Sequence, residues 1–248
     1  MPSSTKNFSF KRVLAKLPRG EPLSTTLLRQ HGFSEFRASA LARSGWLIHL
    51  GRGVYMLPGD TLTRDGGLAY LGQSILGFHV GGKTALSWRG VRQNISFKEV
   101  LMLWGDQSKR LPAWFEQCFP SHYQVTQLFD DKLRKGFGLQ PLPTGRPEIL
   151  VSVPERALLE LLSDVGKTQS LEEARQLVET LRTLREKTLD ELLAHTTRIK
   201  VVRLAELLGR ELDLPWAGTA KRHSQRIGGG KRWLAVGKTG ERLDLRRP

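Results

Sequence analysis

Gly77-Phe78-His79-Val80-Gly81-Gly82-Lys83-Thr84 satisfies the pattern G-x-x-x-x-G-K-[ST]. In such a loop backbone N–H groups wrap phosphates, the lysine reaches the terminal phosphates, and the hydroxyl holds Mg²⁺. That chemistry requires the loop to leave a buried strand and open a helix. Here Leu68 to Leu76 reads better as helix than as strand. Val100-Leu101-Met102-Leu103 could pose as the metal-binding strand, but Trp104 and Gly105 push Asp106 too far along. A P-loop nucleotide-binding protein is therefore the second reading of this chain. A nucleic-acid-processing enzyme built on Glu99, Asp106 and Glu148 shares that rank, with no pattern in its favour. The six histidines form no His-Glu-x-x-His pattern, and one cysteine, Cys118, permits neither an intramolecular disulfide nor a Cys-based zinc site. No cofactor and no metal are expected.

A different set of side chains suits a polyanion. The net charge is +15 over 248 residues, and it is unevenly placed. Residues 1–95 carry 13 Lys/Arg against 4 Asp/Glu, residues 96–217 carry 17 against 18, and residues 218–248 carry 9 against 2. A near-neutral body between two basic ends directs the ends towards a polyanion, which solubility alone does not require. The start of the chain lacks a signal-peptide core, and no apolar run approaches the roughly 18 residues needed to span a bilayer. A cytoplasmic protein with nucleic acid as its partner, and no membrane, is the expectation.

The elements that must position those charges follow in order. Phe10, Val13, Leu14 and Leu17 recur at helical spacing up to Pro18-Arg19-Gly20. Ser24 to His31 fits a second helix closed by Gly32. Ser34 offers an N-cap oxygen to a third helix from Glu35 to Ser44, closed by Gly45. Placing Phe36, Ala40 and Leu41 inward leaves Glu35, Arg37, Ser39 and Arg43 outside. Trp46 to Leu50 and Val54 to Leu57 are strand-like around Gly51-Arg52-Gly53, which predicts a hairpin. A helix-turn-helix followed by a hairpin is a winged DNA-binding unit. Its DNA-binding candidates are Arg37 for a guanine edge, Ser34, Ser39 and Arg43 on the outer face or at phosphates, and Arg52 at the tip of the wing.

The expected fold is α+β: this winged helix-turn-helix with connecting helices over residues 1–95, then a mixed α/β and helical domain over 96–248. Helices are expected from Leu62 to Leu76 and from Leu111 to Phe119. Strands are expected from Lys98 to Trp104, Tyr123 to Phe129 and Glu148 to Val151. Ser152 with Glu155, Ser170 with Glu173 and Thr188 with Glu191 read as capping boxes. Leu171, Ala174, Leu177, Val178, Leu181 and Leu184 form an apolar stripe best explained as core. The last clear helix runs from about Thr197 to Leu212. Beyond it lies a basic, glycine-rich tail in which Arg232 to Val236 and Arg242 to Leu245 could pair.

Three stretches carry a family resemblance: Leu50-Gly51-Arg52-Gly53-Val54-Tyr55, then Val80 to Leu86 running on to Gly90-Val91, then Val151 to Leu162. In order and spacing the chain resembles the AbiEi-type antitoxins of type IV toxin–antitoxin systems, over nearly its whole length. That resemblance implies a winged helix that represses the protein's own operon, binding double-stranded DNA at its own promoter. It further implies a remainder that counters a cognate toxin of the nucleotidyltransferase class. The family's DNA-contact positions carry over to Arg52 and to outward third-helix residues such as Arg37. No motif marks the residues responsible for antitoxicity, and both direct toxin contact and self-association on DNA stay open.

Overall fold

The computed structural model describes residues 12–91, 99–227, 233–236 and 242–245. The chain folds into two compact units, Met1–Ser74 with Arg110–Pro120 and Ile75–Lys109 with Ser121–Pro248.

The first unit begins with helix α1, described over residues 12–14; Phe10 of the expected stripe lies outside the described residues. Strand β1 (Leu23–Ser24) leads into α2 (Thr25–Gln30), and Ser24 caps that helix by accepting the Leu27 amide at 3.0 Å. Helix α3 (Glu35–Arg43) follows a turn through Gly32, whose φ of +83° is open to glycine at no cost. The hairpin β2 (Ile48–Gly51) and β3 (Val54–Met56) comes next, with β1 joining on the far side of β3 in an antiparallel order β1-β3-β2. Leu17, Leu23, Leu28, Phe33, Ala38, Leu47, Tyr55 and Leu57 make one buried cluster beneath these elements, with Val13, Leu14, Leu27, Leu41 and Ala42 packed on it. Helices α4 (Arg64–Ser74) and α6 (Ala113–Cys118) complete the unit. Two glycines inside α4 are contact points: a Cβ on Gly66 would lie 2.8 Å from the Gly20 carbonyl oxygen, and one on Gly67 2.8 Å from the Phe115 ring. Trp114 meets Tyr70 edge-on at 5.5 Å.

The second unit holds a five-stranded mixed sheet of β4 (His79–Val80), β5 (Leu101–Trp104), β6 (Ser121–Gln124), β7 (Leu139–Gln140) and β8 (Val151–Ser152), in the order β6-β5-β4-β8-β7. Pairs β4–β8 and β5–β6 run parallel, whereas β4–β5 and β7–β8 run antiparallel. Helix α5 (Gly82–Trp88) connects β4 onward, and α7 (Pro154–Asp164) leaves β8. The helices α8 (Leu171–Glu179), α9 (Glu186–Ala194), α10 (Ile199–Glu211) and α11 (Ala217–Arg226) follow, then an antiparallel pair β9 (Trp233–Val236) and β10 (Arg242–Leu245). Ala174, Leu177, Val178 and Leu181 are buried, so the apolar stripe is core.

Several local expectations need correction. The expected strand from Tyr123 begins at Ser121 and stops at Gln124. Only one of the three capping boxes has its serine in place, Ser170, which accepts the Glu173 amide at 3.0 Å. Val153, not Ser152, is the N-cap of α7, because Ser152 ends β8 and its hydroxyl donates to Glu160 Oε2 at 2.8 Å. Glu155 instead accepts the backbone amide of Arg185 at 2.7 Å and its Nη2 at 2.9 Å. That carboxylate serves the start of α9 from a distance, so α9 begins at Glu186 and Thr188 falls inside it. The tail is also more ordered than its composition suggests. Residues 217–226 form α11, with Thr219, Ala220, His223 and Ser224 buried; the Gly228-Gly229-Gly230 segment lies outside the described residues.

Glu160 of α7 has no solvent exposure, and four donors surround its carboxylate. Gly82 N and Ser152 Oγ reach Oε2 at 3.0 and 2.8 Å, and His79 Nε2 and Arg156 Nε reach Oε1 at 3.0 and 2.8 Å. His79 Nδ1 is also 2.7 Å from the Gly77 carbonyl, so the ring is held between two acceptors. Burial opposes ionisation of Glu160, but His79 and Arg156 outweigh it and hold the carboxyl at about 2. A carboxyl depressed in the folded state stabilises fully above its ordinary value and loses that contribution as pH falls towards the folded value. Glu160→Gln should therefore cost about 3–5 kcal/mol near neutral pH, because it leaves the Arg156 guanidinium without its buried carboxylate. The gap to the parent should close as pH falls from 4.5 towards 2. Urea unfolding across that range checks this, and a gap independent of pH would refute the assignment.

Candidate nucleic-acid interface

Helix α3 and the hairpin after it hold the side chains suited to DNA. The orientation of α3 is set by its smallest buried residue. Ala38 is fully buried, and Leu41 and Ala42 pack on the same core. At roughly 100° per residue these three define the inward face. Phe36, Ala40 and Arg43 then fall on the opposite side, with Arg37 on one flank and Ser39 on the other. Phe36 is 78% exposed, so the expectation that it packs inward is wrong. The signal in the sequence was the Ala38/Leu41/Ala42 spacing counted from the Ser34 cap, which a ring at position 36 outweighed.

The five candidate residues are placed as follows. Ser34 caps α3, its Oγ accepting the Arg37 amide at 3.2 Å, which leaves the hydroxyl proton free to be donated. Arg37 is exposed, and its guanidinium lies 5.3 Å from the centre of the Phe33 ring. Ser39 Oγ is 3.2 Å from the Tyr55 hydroxyl, which ties the flank of α3 to β3. Arg43 lies in the last turn of α3, and Arg52 lies between the paired strands of the hairpin. Both are exposed and form no ion pair among the described residues. At the other end of α3, Glu35 is neutralised by Arg29 at 2.7 Å. Gly53 follows Arg52 with φ of +72°, a conformation that glycine adopts without strain.

The P-loop pattern is put to a different use. Strand β4 occupies positions inside the motif, so no open loop remains between strand and helix. The Gly82 amide is bonded to Glu160, and a Cβ on Gly81 would run into that carboxylate and the Trp104 indole. Thr84 Oγ1 accepts the Met102 amide at 2.9 Å, and Lys83 Nζ lies 3.3 Å from Glu173. The groups that would meet a phosphate are already engaged. The trio of carboxylates does not assemble either. Glu99 accepts the Trp88 indole N–H at 2.9 Å, Glu148 pairs with Arg146 at 3.5 Å, and Asp106 sits against Gly77. Among the described residues no three His, Cys, Asp or Glu side chains are grouped to hold a metal ion.

Two family models cover the chain almost from end to end. Residues 6–97 match the AbiEi antitoxin N-terminal domain of transcriptional regulators, and residues 98–245 match the transcriptional regulator, AbiEi antitoxin, of type IV toxin–antitoxin systems. The chain belongs to the AbiEi antitoxin family. None of the curated proteins matches it. The crystal structure of the RV2827C protein from Mycobacterium tuberculosis is similar in fold, with a TM-score of 0.57 at 17% identity, over 90% of this chain and 81% of that one. No described helix is long and apolar enough to cross a membrane.

Within this AbiEi chain two of the resembling stretches, 80–86 and 151–162, converge on Glu160. The Lys83-Thr84 pair should accordingly behave as structure. Lys83→Ala should change stability by no more than about 0.5 kcal/mol. Thr84→Val should cost about 1–3 kcal/mol, because it strands the buried Met102 amide. Thermal unfolding with and without Mg-ATP checks both: a nucleotide-dependent rise in Tm that Lys83→Ala abolishes would restore the P-loop.

Proposed function

We propose that the first unit is a winged helix-turn-helix that binds DNA upstream of the chain's own gene and represses its operon from the cytoplasm. The observation that carries this reading is the pair Arg43 and Arg52, exposed and unpaired among the described residues, on a helix and a hairpin in winged-helix order. Membership of a family of transcriptional regulators supports it. Helix α3 would enter the major groove, with Arg37 at a base edge and Ser34, Ser39 and Arg43 towards the backbone. Arg52 would reach a phosphate or the narrow minor groove from the wing. The remainder of the chain would counter a cognate toxin, and the family resemblance supports a nucleotidyltransferase-type toxin.

The full chain should retard its own upstream DNA in preference to unrelated DNA at moderate salt, with affinity falling steeply as salt rises. Arg43→Ala and Arg52→Ala should weaken binding to all sequences and reduce the salt slope by about 1 each. Arg37→Ala should cost about 1–3 kcal/mol and relax specificity at one position. Titration by fluorescence anisotropy measures all three. Binding indifferent to sequence and flat with salt would refute the regulator reading. Co-expression with the product of an adjacent toxin gene, read as restored growth, tests the antitoxin half separately.

A further inference from the structure

The outward face of α3 is apolar at its centre. Phe36 presents its ring to solvent at 78% exposure, the highest value among the exposed large hydrophobic side chains of the described residues. One turn later on the same stripe stands Ala40, small enough to let the helix approach a surface closely. Cations border this strip: Arg43 continues it, Arg37 flanks it, and Arg52 lies in the hairpin of the same unit. Glu35, the one acidic residue of α3, is cancelled by Arg29. A wholly phosphate-binding face would have no use for a bare ring at its centre. An apolar protein partner would gain little from the surrounding arginines.

The major groove offers what this strip lacks. It carries one apolar group per A·T pair, the C5-methyl of thymine, set beside the O4 acceptor and close to the phosphate backbone. We infer that Phe36, with Ala40 beside it, reads thymine methyl groups in the major groove, so that operator preference rests on apolar contact as well as on arginine hydrogen bonds. This inference rests on the winged-helix reading above and deepens it. Burying one methyl-sized group against a ring is worth about a fourfold change in affinity, enough to discriminate at one or two base pairs.

The test uses the full chain and its upstream duplex with thymines replaced singly by deoxyuridine, which removes the C5-methyl and keeps every hydrogen-bonding group. At one or two positions the replacement should weaken parent binding about fourfold. Phe36→Ala should weaken binding to the thymine duplex by a similar factor, become insensitive to those same replacements, and leave the salt slope unchanged. Selective binding by the parent that ignores deoxyuridine at every position would overturn the methyl reading and leave the regulator standing. Absence of selective binding would overturn both. Retained deoxyuridine sensitivity in Phe36→Ala, with a shift in its sedimentation as a dimer, would assign the ring to contact between copies and overturn the inference.

Discussion

A carboxylate sealed from water must find donors on every side, and Glu160 collects them from separate parts of the second unit. His79 comes from β4, Gly82 from the first residue of α5, Ser152 from the end of β8, and Arg156 from the preceding turn of α7. The cost of burying the charge is offset only while all of these segments hold their places, so the carboxylate enforces the register of β4 against β8 and the seat of α5 at once. The rest of α7 follows. Its start carries Glu155, bound to Arg185, and its far end is closed by Lys200 Nζ, which donates to the Ser163 and Val165 carbonyls at 2.7 and 2.9 Å. Burial lowers the pKa of that ammonium to about 8. Arg89, just beyond α5, donates to the carbonyls of Gln140, Val151 and Ser152 and braces the β7–β8 edge.

The first unit is organised more by fit than by charge. Its buried cluster is aliphatic and aromatic, and Ala38 allows α3 to lie close against it. Because the helix can rotate only to bury its smallest face, the identity of the outward residues follows from what lies inside. The Ser39–Tyr55 hydroxyl contact holds that rotation from the side of the hairpin. The first unit thus rests its geometry chiefly on close contact, and the second adds a saturated polar centre to an apolar core of its own.

Much of this was legible in the linear chain, and the failures share a cause. The succession of helices, the hairpin and its glycine turn follow from caps, φ-permissive residues and alternation, which are local. Ser34 and Ser170 cap helices as their spacing says. The misreadings occur where a distant residue takes over a local role. Ser152 is drawn to Glu160, and Glu155 reaches the start of α9, so neither serves the other. Helix α11 was hidden by a basic composition whose inward side is only Thr219, Ala220, His223 and Ser224. At the candidate interface, the exposed positions of Ser34, Arg37, Ser39, Arg43 and Arg52 were reachable from type and spacing. Phe36 was not, since a ring on an amphipathic helix ordinarily goes inside.

The route of the chain between its two units has a further consequence. The matched family stretches meet at residues 97 and 98, but Arg110–Pro120 belongs to the first compact unit and carries Trp114 and Phe115 into its packing. The modules that evolution can shuffle are therefore not the modules that fold. A single recombination point between relatives would bring a foreign α6 against a native α4, where Gly67 leaves no space for anything but the Phe115 ring it already faces. Exchange of the first unit between lineages must carry two separated pieces together, which ties its divergence to that of the second unit.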